Sequence, residues 1–492
     1  MRKKYVVAYD LGTSSVKILF YSLEGITLAS TTVNYPLYTN SRNEAEQSPK
    51  SYWHAVCEGT LQILREEDLN SIDCEGIAFG TQWRGIIPID SGGNCLRRGI
   101  IWMDKRAGKQ AKWMNHKLKE TLFCESDYWP KLLWFREEEP ELYEKSTFIL
   151  EANAYLKWKA TGKIFSDITN CYTRSCSSER QTFYQNILSV AGLDLKKFPA
   201  ICRSTDLVGR ISKEASVQMG LPQGTPVFGG CCDIAAVAIG SGCCRQGDVH
   251  AYLGTSGWLG CISPHQPTRL YSPPLDEKSD VSFYGLGVTV GPSTDWLIRQ
   301  FYSEEKKTFG KNVWNIIGEE LENTKPGSER LLIAPWFFGG RPPFSSGKAR
   351  GVFVNLREEH TRAHMTRALL EGFCYVMRQN LEVLEKTEKK SVDCITVCGG
   401  GSNNRYWMQA MADILKIQIR VPRDTGNVGA VGVAQCALLG LGVRKNYEAV
   451  KSGILIQQIY NPNPENFQEY DLLYSQFQQL YGAMARIFER LN

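Results

Sequence analysis

Two short turns have the composition of a phosphate-binding loop. Leu11-Gly12-Thr13-Ser14 and Leu253-Gly254-Thr255-Ser256 each follow a β-rich run and precede another apolar segment. In a tight turn of this kind, backbone N–H groups can point into one concavity, and the hydroxyls add further donors. A single copy is more often an ordinary hairpin turn, but two copies about half the chain length apart favour two related domains. We therefore predict that both turns face one nucleotide in a central cleft.

Two aspartates are the carboxylates that we single out. Asp10 ends a predicted strand beside the first turn, where a negative charge is unfavourable unless it handles a metal ion. Mg²⁺ prefers few carboxylates together with water and substrate phosphates, so Asp10 is the predicted metal residue. Asp233 follows Gly229-Gly230-Cys231-Cys232 and precedes a short apolar run. Its carboxylate is either the N-cap of a helix or a catalytic base held at the helix N-terminus.

A third glycine cluster, Gly399-Gly400-Gly401, follows an apolar strand and leads into a predicted helix through Ser402-Asn403-Asn404. Glycines at such a turn allow close approach of a flat ligand, and the polar residues can cap the helix or bond to a base. The alternative is a capped turn without a ligand. The sequence has no Gly-x-x-x-x-Gly-Lys-Ser/Thr loop, which excludes a P-loop ATPase. Gly285-Leu286-Gly287 lacks the third glycine and the flanking elements of a dinucleotide-binding fingerprint, which disfavours a Rossmann dehydrogenase.

The elements that must position these residues in the first half of the chain begin with a strand meander. Ser48-Pro49 then supplies the N-cap and first-turn proline of an amphipathic helix that extends to about Leu69, and a strand pair follows. The predicted strands are residues 5–10, 16–22, 26–33, 77–79 and 86–89. The order βββαβ is that of a ribonuclease-H-like or actin-like ATPase domain.

The second half alternates helices and strands. Apolar residues at helical spacing predict a long helix over 361–386. After it we predict strands over 392–397 and 417–421, a helix that opens near Asn403 and a helix over 428–439. The predicted fold class is α/β, with two ribonuclease-H-like (actin-like ATPase) domains, residues 1–245 and 246–492, around a central nucleotide and substrate cleft. Residues 100–225 are rich in Trp and Tyr and are predicted to form an insertion that covers a substrate.

The composition favours small-molecule partners. The 492 residues carry 57 basic and 52 acidic side chains, a net charge of +5, far from the concentrated basic surface that binds nucleic acid. No apolar stretch approaches membrane-spanning length, and Asp10 cuts the N-terminal apolar run before a signal-peptide core forms. The 16 cysteines include no Cys-x-x-Cys pair, which favours structural thiols in a reducing compartment. We expect a cytoplasmic protein with no nucleic-acid or membrane partner.

Five segments of the chain, in their order, resemble the FGGY carbohydrate kinases and lie nearest to the xylulokinase branch. They are Asp10-Leu11-Gly12-Thr13-Ser14, Ile101-Trp102-Met103-Asp104-Lys105-Arg106, Gly229 to Ala235, Leu253 to Gly257, and Gly399 to Gln409. The resemblance covers essentially the whole chain, and the ordered series is far more specific than any one motif. It implies two actin-like domains that close on ATP and an open-chain sugar.

The resemblance also implies roles for individual residues. Asp233 is expected to accept the proton of the substrate hydroxyl, and Asp10 is expected near Mg²⁺. The residues expected around the phosphates of ATP are Gly12, Thr13, Ser14, Gly254 and Thr255. Gly400 and Asn404 are expected to hold the adenosine, with Gly291 as a further nucleotide residue, and Trp102 and Asp104 are expected on the sugar side.

One segment departs from the family pattern. Where xylulokinases resemble Gln-Met-His-Gly, with the Met and His touching the ketose, this chain has Gln82-Trp83-Arg84-Gly85. Gln82, Trp83 and Arg84 are therefore candidate substrate residues, but they argue against assigning xylulose from the resemblance alone. Arg84 adds a permanent cation with forked donors. It could bind a carboxylated sugar such as a gluconate, hold polyol hydroxyls, or pair with an acid such as Glu151.

The expected function is an ATP-dependent sugar kinase that acts on a ketopentose, a polyol (for example one like glycerol) or a sugar acid, with ATP and Mg²⁺ as cofactors and a homodimer as a candidate assembly. The alternative is an actin-like or chaperone-type ATPase that phosphorylates no sugar. The Trp- and Tyr-rich segment, which suits a sugar pocket, counts against that alternative.

Overall fold

The computed structural model describes residues 3–266, 268, 272–285, 289–340 and 346–492. The chain forms two compact units. Unit 1 contains Met1–Cys244, Pro264–Val281 and Asn427–Ile454, and unit 2 contains Arg245–Ser263, Ser282–Gly426 and Leu455–Asn492. A single division into residues 1–245 and 246–492 therefore does not describe the two later segments that return to unit 1.

The strands are numbered in chain order. They are β1 (Tyr5–Leu11), β2 (Ser15–Ser22), β3 (Thr27–Asn34), β4 (Tyr38–Thr39), β5 (Ala45–Gln47), β6 (Cys74–Thr81), β7 (Ile87–Ile89), β8 (Gly99–Ile100), β9 (Phe148–Leu150), β10 (Phe165–Asp167), β11 (Ala200–Cys202), β12 (Leu207–Arg210), β13 (Pro226–Cys232), β14 (Val249–Leu253), β15 (Gly257–Pro264), β16 (Ser279–Gly285), β17 (Leu332–Ala334), β18 (Val352–Val354), β19 (Cys394–Cys398), β20 (Gln418–Pro422) and β21 (Ile456–Tyr460).

The α-helices follow in the same order. They are α1 (Pro49–Glu66), α2 (Gly108–Leu118), α3 (Tyr128–Glu138), α4 (Pro140–Lys145), α5 (Ala152–Thr161), α6 (Ser178–Ala191), α7 (Lys213–Met219), α8 (Asp233–Gly240), α9 (Val290–Phe301), α10 (Ser303–Phe309), α11 (Val313–Glu322), α12 (Arg362–Glu388), α13 (Arg405–Leu415), α14 (Val428–Gly440), α15 (Tyr447–Gly453) and α16 (Phe467–Leu491).

Each unit has a six-stranded sheet, and the first four strands of the two sheets along the chain have the same order; the last two differ, because the edge strand β12 precedes its neighbour β13 in the chain, whereas the edge strand β21 follows its neighbour β20. Unit 1 has the order β12-β13-β6-β1-β2-β3, and unit 2 has the order β16-β15-β14-β19-β20-β21. In unit 1, β1 pairs antiparallel with β2 and parallel with β6, and in unit 2, β14 pairs antiparallel with β15 and parallel with β19. The first strand of each hairpin, β1 in unit 1 and β14 in unit 2, therefore ends at a glycine turn. The predicted βββαβ order is present in unit 1, although β7 pairs with β9 outside the main sheet.

Helix α14 explains why residues 427–454 belong to unit 1. Its sequence is apolar on every side, and almost all of it is buried, which is typical of a helix enclosed by a protein core. It packs against α8, β1 and β6. The approach to α8 requires glycines, because a Cβ on Gly432 would lie 1.8 Å from the Ala236 carbonyl oxygen, and one on Gly240 would lie 1.9 Å from that of Val428. Tight helix–helix packing therefore holds this distant segment in unit 1.

Two further predictions concern the state of the cysteines and membrane-spanning segments. The cysteines are free thiols, and most of them are buried. Within the described ranges, no helix is both long enough and apolar enough to cross a membrane.

Candidate active site

Two carboxylates lie close together in unit 1. Asp10 is near the end of β1, Asp233 opens α8, and both side chains keep partial access to solvent. Burial raises the pKa of Asp233 to about 7, and the nearby charge of Asp10 contributes to the rise. Burial also raises the pKa of Asp10, against a smaller opposite effect of Lys17. Asp233 therefore has the proton affinity of a general base that works near neutral pH.

The N-cap interpretation of Asp233 is wrong. Cys232 occupies the N-cap position of α8, and Asp233 is the first helical residue. The Asp233 Oδ1 accepts a hydrogen bond from the N–H of Ile234, at 2.9 Å. An N-cap side chain instead accepts from the second or third N–H of its helix. The carboxylate is thus oriented at the helix start and is not consumed by capping.

The carboxylate of Asp10 lies against the start of α14. A Cβ built on Gly429 would be 2.3 Å from Asp10 Oδ2, so only a glycine permits this approach. Among the described residues, no group of three or more His, Cys, Asp or Glu side chains could hold a metal ion. One or two carboxylates are nevertheless sufficient for Mg²⁺, which completes its shell with water and substrate phosphates. The two neighbouring aspartates fit that requirement.

The predicted substrate residues Gln82, Trp83 and Arg84 follow β6 directly. The Gln82 Nε2 donates to Gln47 Oε1 at 2.7 Å and to the Tyr52 hydroxyl at 3.1 Å. The buried Gln82 Oε1 and Trp83 Nε1 have no hydrogen-bond partner within the described part of the chain. Buried polar atoms are normally paired, so these two atoms are available for a bond to water or to a ligand.

Arg84 has a left-handed backbone with φ 64°, and its guanidinium carbon lies 4.3 Å from the centre of the Trp83 ring. Its Nη1 forms an ion pair with Asp127 Oδ1 at 2.8 Å. The alternative in which Arg84 pairs with an acid is confirmed, but the acid is Asp127 and not the suggested Glu151. The Glu151 carboxylate instead accepts from the hydroxyls of Ser166, at 2.8 Å, and Tyr128, at 3.3 Å. Arg84 also lies near enough to Asp233 to lower the pKa of that carboxyl.

Trp102 and Asp104, both predicted on the sugar side, differ in their environments. The Trp102 side chain is 41% exposed, and its Nε1 donates to Thr13 Oγ1 at 3.0 Å. Asp104 is fully buried, and its carboxylate accepts from the N–H of Ala45 and from the guanidinium of Arg106. Trp102 can therefore present a surface to a ligand, whereas Asp104 stabilises the loop that carries Trp102.

Lys131 is a residue that the sequence motifs do not mark. It lies on α3 and is fully buried, and its Nζ donates to the carbonyls of Arg84, at 2.8 Å, and Ile101, at 3.0 Å. Burial lowers its pKa to about 7, and the charge of Arg84 contributes to the decrease. One amino group thus links the loop of Arg84 to the loop of Trp102. The sequence signal that could have identified Lys131 is a lysine among apolar neighbours, in Tyr128-Trp129-Pro130-Lys131-Leu132-Leu133.

Unit 2 contains a cavity of about 780 Å³. Four of the predicted nucleotide residues line it, namely Gly254, Gly291, Gly400 and Asn404. Residues that were not predicted from sequence complete the wall, among them Lys306, Trp314, Asn315, Glu319, Tyr406 and Trp407. A volume of this size, with aromatic and polar groups on the wall, suits a ligand the size of a nucleoside.

The backbone around this cavity depends on close contacts at glycine. The N–H of Gly291 donates to the carbonyls of Gly254 and Thr255, and a Cβ on Gly291 would lie 3.0 Å from the Thr255 Cα. Asn404 is the N-cap of α13, and its side chain accepts from the N–H of Trp407 at 3.0 Å. Asn404 therefore caps the helix and also lines the cavity.

The two glycine turns are closed by similar backbone bonds. The N–H of Gly12 donates to the Ser15 carbonyl at 2.9 Å, and that of Gly254 donates to the Ser256 carbonyl at 3.0 Å. Ser14 and Thr255 are exposed at the turns, and Thr13 is half-buried.

Of the disfavoured dinucleotide motif, Leu286 and Gly287 lie outside the described residues, as does Val288, which precedes the helix of Gly291.

Comparisons with known proteins place the whole chain in one family. Residues 5–240 match the N-terminal domain of the FGGY family of carbohydrate kinases, and residues 249–441 match its C-terminal domain. A xylulose kinase of Staphylococcus epidermidis is 28% identical over 500 residues, which cover 99% of this chain and 98% of the relative. The gluconokinase of Bacillus subtilis is 26% identical over 503 residues, covering 95% of this chain and 94% of the relative.

Solved structures show the same fold. The gluconate kinase of Lactobacillus acidophilus, 22% identical, superposes with a TM-score of 0.84 and covers 100% of both chains. A ligand-bound xylulose kinase from the same organism, 21% identical, has a TM-score of 0.85 over 99% of this chain and 100% of the other. The family match favours the kinase over the chaperone-type ATPase. The chain belongs to the FGGY family of carbohydrate kinases, with their actin-like fold, and is an ATP-dependent sugar kinase.

Proposed function

We propose that this sugar kinase transfers the γ-phosphate of ATP to a hydroxyl of an open-chain ketopentose, polyol or sugar acid, with Asp233 as the general base. The observation that carries the proposal is a partly solvent-accessible carboxylate at the start of α8, beside Asp10, whose pKa is raised by burial. Phosphoryl transfer requires aligned reactants, neutralised charge and a base that accepts the hydroxyl proton. Asp233 supplies the base, because its raised pKa gives the carboxylate the proton affinity that this role requires.

The nucleotide is proposed to bind through unit 2. The cavity lined by Gly254, Gly291, Gly400 and Asn404 is assigned to the adenosine. Gly12, Thr13, Ser14, Gly254 and Thr255 are assigned to the phosphates. The support for these assignments is that tight turns expose N–H and hydroxyl donors, which suit phosphate oxygens.

Asp10 is proposed as the residue that binds Mg²⁺. Its carboxylate is partly exposed, carries a raised pKa and lies beside Asp233, so a cation would relieve the repulsion between the two charges. When bound, Mg²⁺ supplies charge neutralisation at the phosphates. The protein itself holds Asp10 against α14, orients Asp233 and keeps the proton acceptor near neutral pKa.

The sugar is proposed to contact Gln82, Trp83, Arg84 and Trp102. The support is the pair of unsatisfied polar atoms on Gln82 and Trp83, the proximity of Arg84 to Asp233 and the exposed ring of Trp102. Asp104 is proposed to shape the sugar-binding region indirectly, because its carboxylate accepts a hydrogen bond from Arg106. A cytoplasmic location and a homodimer remain predictions, and sedimentation velocity of the purified protein tests the second.

The test is a coupled assay of ADP release, with detection of the phosphorylated product, over a panel of ketoses, polyols and sugar acids. We expect the Asp233→Ala enzyme to lose about 100-fold or more in kcat, because the base is absent. Its ADP affinity, measured by calorimetry, should equal that of the wild type, because the adenosine cavity lies in unit 2. A variant that transfers phosphate at near wild-type rate would refute the role of Asp233.

A further inference from the structure

Asp127 is the acid that compensates the positive charge of Arg84, one of the proposed substrate residues. Arg84 Nη1 lies 2.8 Å from Asp127 Oδ1, and the two side chains are 18% and 3% exposed. The cation is therefore compensated in a place with little solvent. Screening by water is weak there, so the pair influences the local potential more than a surface pair does.

Asp127 is itself held in position. Its Oδ2 accepts from the N–H of Cys124 at 2.7 Å, and the residue occupies the N-cap position of α3. On the other side, Lys131 holds the backbone carbonyl of Arg84, whose φ of 64° is unusual for a residue with a side chain. Asp127 therefore cannot swing away without losing its bond to Cys124, and the backbone of Arg84 is fixed by Lys131. A substrate carboxylate that required the guanidinium would have to displace a fixed buried acid.

The remaining groups around Arg84 do not favour a second anion. Asp233 lies within electrostatic range of Arg84, and Asp10 lies within range of Asp233. Asp233 is thus a second carboxylate in range of the guanidinium, and an added carboxylate would compete with it and with Asp127 for the same cation. Lys131 adds little compensating charge, because its pKa of about 7 leaves it only partly protonated at neutral pH and its donors already serve two carbonyls.

The unsatisfied atoms next to Arg84 suit hydroxyl groups. Gln82 Oε1 requires a donor and Trp83 Nε1 requires an acceptor, and both lack a partner among the described residues. A hydroxyl both donates and accepts, and neutral sugars and sugar acids both carry hydroxyls, so the discrimination against sugar acids comes from the paired Arg84. The guanidinium has five N–H donors, so a paired Arg84 can still bond to a neutral oxygen.

From these contacts we propose that Asp127 is a specificity-determining residue which, by neutralising Arg84, selects neutral ketoses or polyols over sugar acids. The inference rests on the proposed function, because it assumes that Arg84 faces the sugar. Asp127 acts through Arg84 and is a positioning residue. This selectivity excludes sugar acids such as gluconate from the three proposed substrate classes.

The first test compares D-xylulose, xylitol and D-xylonate, which have five carbons each, together with gluconate, on the wild-type enzyme at fixed salt. We expect kcat/KM for the preferred neutral compound to exceed that for either acid by about tenfold or more, which corresponds to about 1.4 kcal/mol. A wild-type preference for either acid would overturn the inference and leave the kinase assignment intact. If no compound of any class became phosphorylated, the proposed function itself would fail.

The second test uses Asp127→Asn, which keeps the size of the side chain and frees the guanidinium charge. We expect the ratio of kcat/KM for D-xylonate to that for the preferred neutral compound to rise about tenfold. Adding Arg84→Met should remove that gain, because the freed cation is gone. Equal loss on all substrates in Asp127→Asn would show a merely structural role and contradict the inference. ADP affinity and the thermal midpoint verify folding, and if the variant does not fold, the wild-type comparison decides.

Discussion

The two glycine turns have the same local sequence but different neighbours. In unit 1 the turn Leu11-Gly12-Thr13-Ser14 follows Asp10, and in unit 2 the turn Leu253-Gly254-Thr255-Ser256 follows Tyr252. Both turns join the antiparallel strands of a hairpin, and the two hairpins lie at the same place in the four strands whose order the two sheets share. At the matched position, unit 1 has a carboxylate close to Asp233, and unit 2 has a ring that stacks on Trp258 at 4.3 Å.

This difference indicates how one fold supports two tasks. The carboxylates with raised pKa that the proposed chemistry needs, Asp10 and Asp233, lie in unit 1. The cavity suited to a nucleoside lies in unit 2, where Gly254 and Gly291 form part of the wall. In the proposed function the shared turn positions phosphate, and the residue before the turn decides whether the unit carries charge or an aromatic surface. Three predictions probe this division.

The largest expected effect is at the matched position itself. Asp10→Asn should lower kcat by about 100-fold or more, because it removes the proposed Mg²⁺ carboxylate. It should also raise the Mg²⁺ concentration required for half-maximal rate. Tyr252→Phe keeps the stacked ring and serves as the matched control, with kcat within about twofold of wild type. Similar losses in the two variants, measured by the same coupled assay, would contradict the division between the units.

The next effect concerns the packing that brings residues 427–454 into unit 1. Gly432→Ala should lower the free energy of unfolding by about 3 kcal/mol, because the new Cβ meets the Ala236 carbonyl at 1.8 Å. Gly482→Ala, at an exposed position of α16 in unit 2 with no atom within 4 Å of the added Cβ, is the matched control and should stabilise by about 0.5 kcal/mol. Urea titration measures both. Equal stability of the two variants would show that α14 does not depend on this contact.

The smallest of these effects concerns the cavity of unit 2. A Cβ at Gly400 meets no atom within 4 Å, so Gly400→Leu is tolerated by the backbone and reduces the space for a ligand. We expect KM for ATP to rise about tenfold with little change in kcat at saturation. Gly426→Ala, which also has open space around the added Cβ, is the control. A fall in kcat with unchanged KM for ATP would show that Gly400 does not border the nucleotide.

Most of the fold could be predicted because its signals are local. The meander of β1 to β3 and the proline at the start of α1 follow from short-range periodicity and capping, and their observed bounds differ by only a few residues at the ends. The return of α14 to unit 1 could not be predicted, because it depends on close packing at Gly240 and Gly432, which are distant in sequence. Helical periodicity identifies an apolar helix but not its partner.

The candidate site divides in the same way. Residues on sequence motifs could be identified, and Gly254, Gly291, Gly400 and Asn404 do line one cavity. Asp127 and Lys131 could not, because no motif marks them, and their roles arise from bonds to Arg84 across 43 and 47 positions of sequence. Partners of a buried charge are set by tertiary packing, so the sequence suggests an acid for Arg84 but not which one.

The most direct test of the central claim is the pH dependence of kcat/KM for Mg·ATP at saturating sugar, which reports the ionisation of the base before nucleotide and metal bind. The base is active when ionised, and burial and Asp10 raise the pKa of Asp233 from 3.8 to about 7. The ionised fraction, and with it kcat/KM, should rise about tenfold between about pH 6 and pH 8. The residual kcat/KM of Asp233→Asn should lose that rise. A wild-type kcat/KM that is flat over this range, or the same rise in Asp233→Asn, would contradict Asp233 as the base.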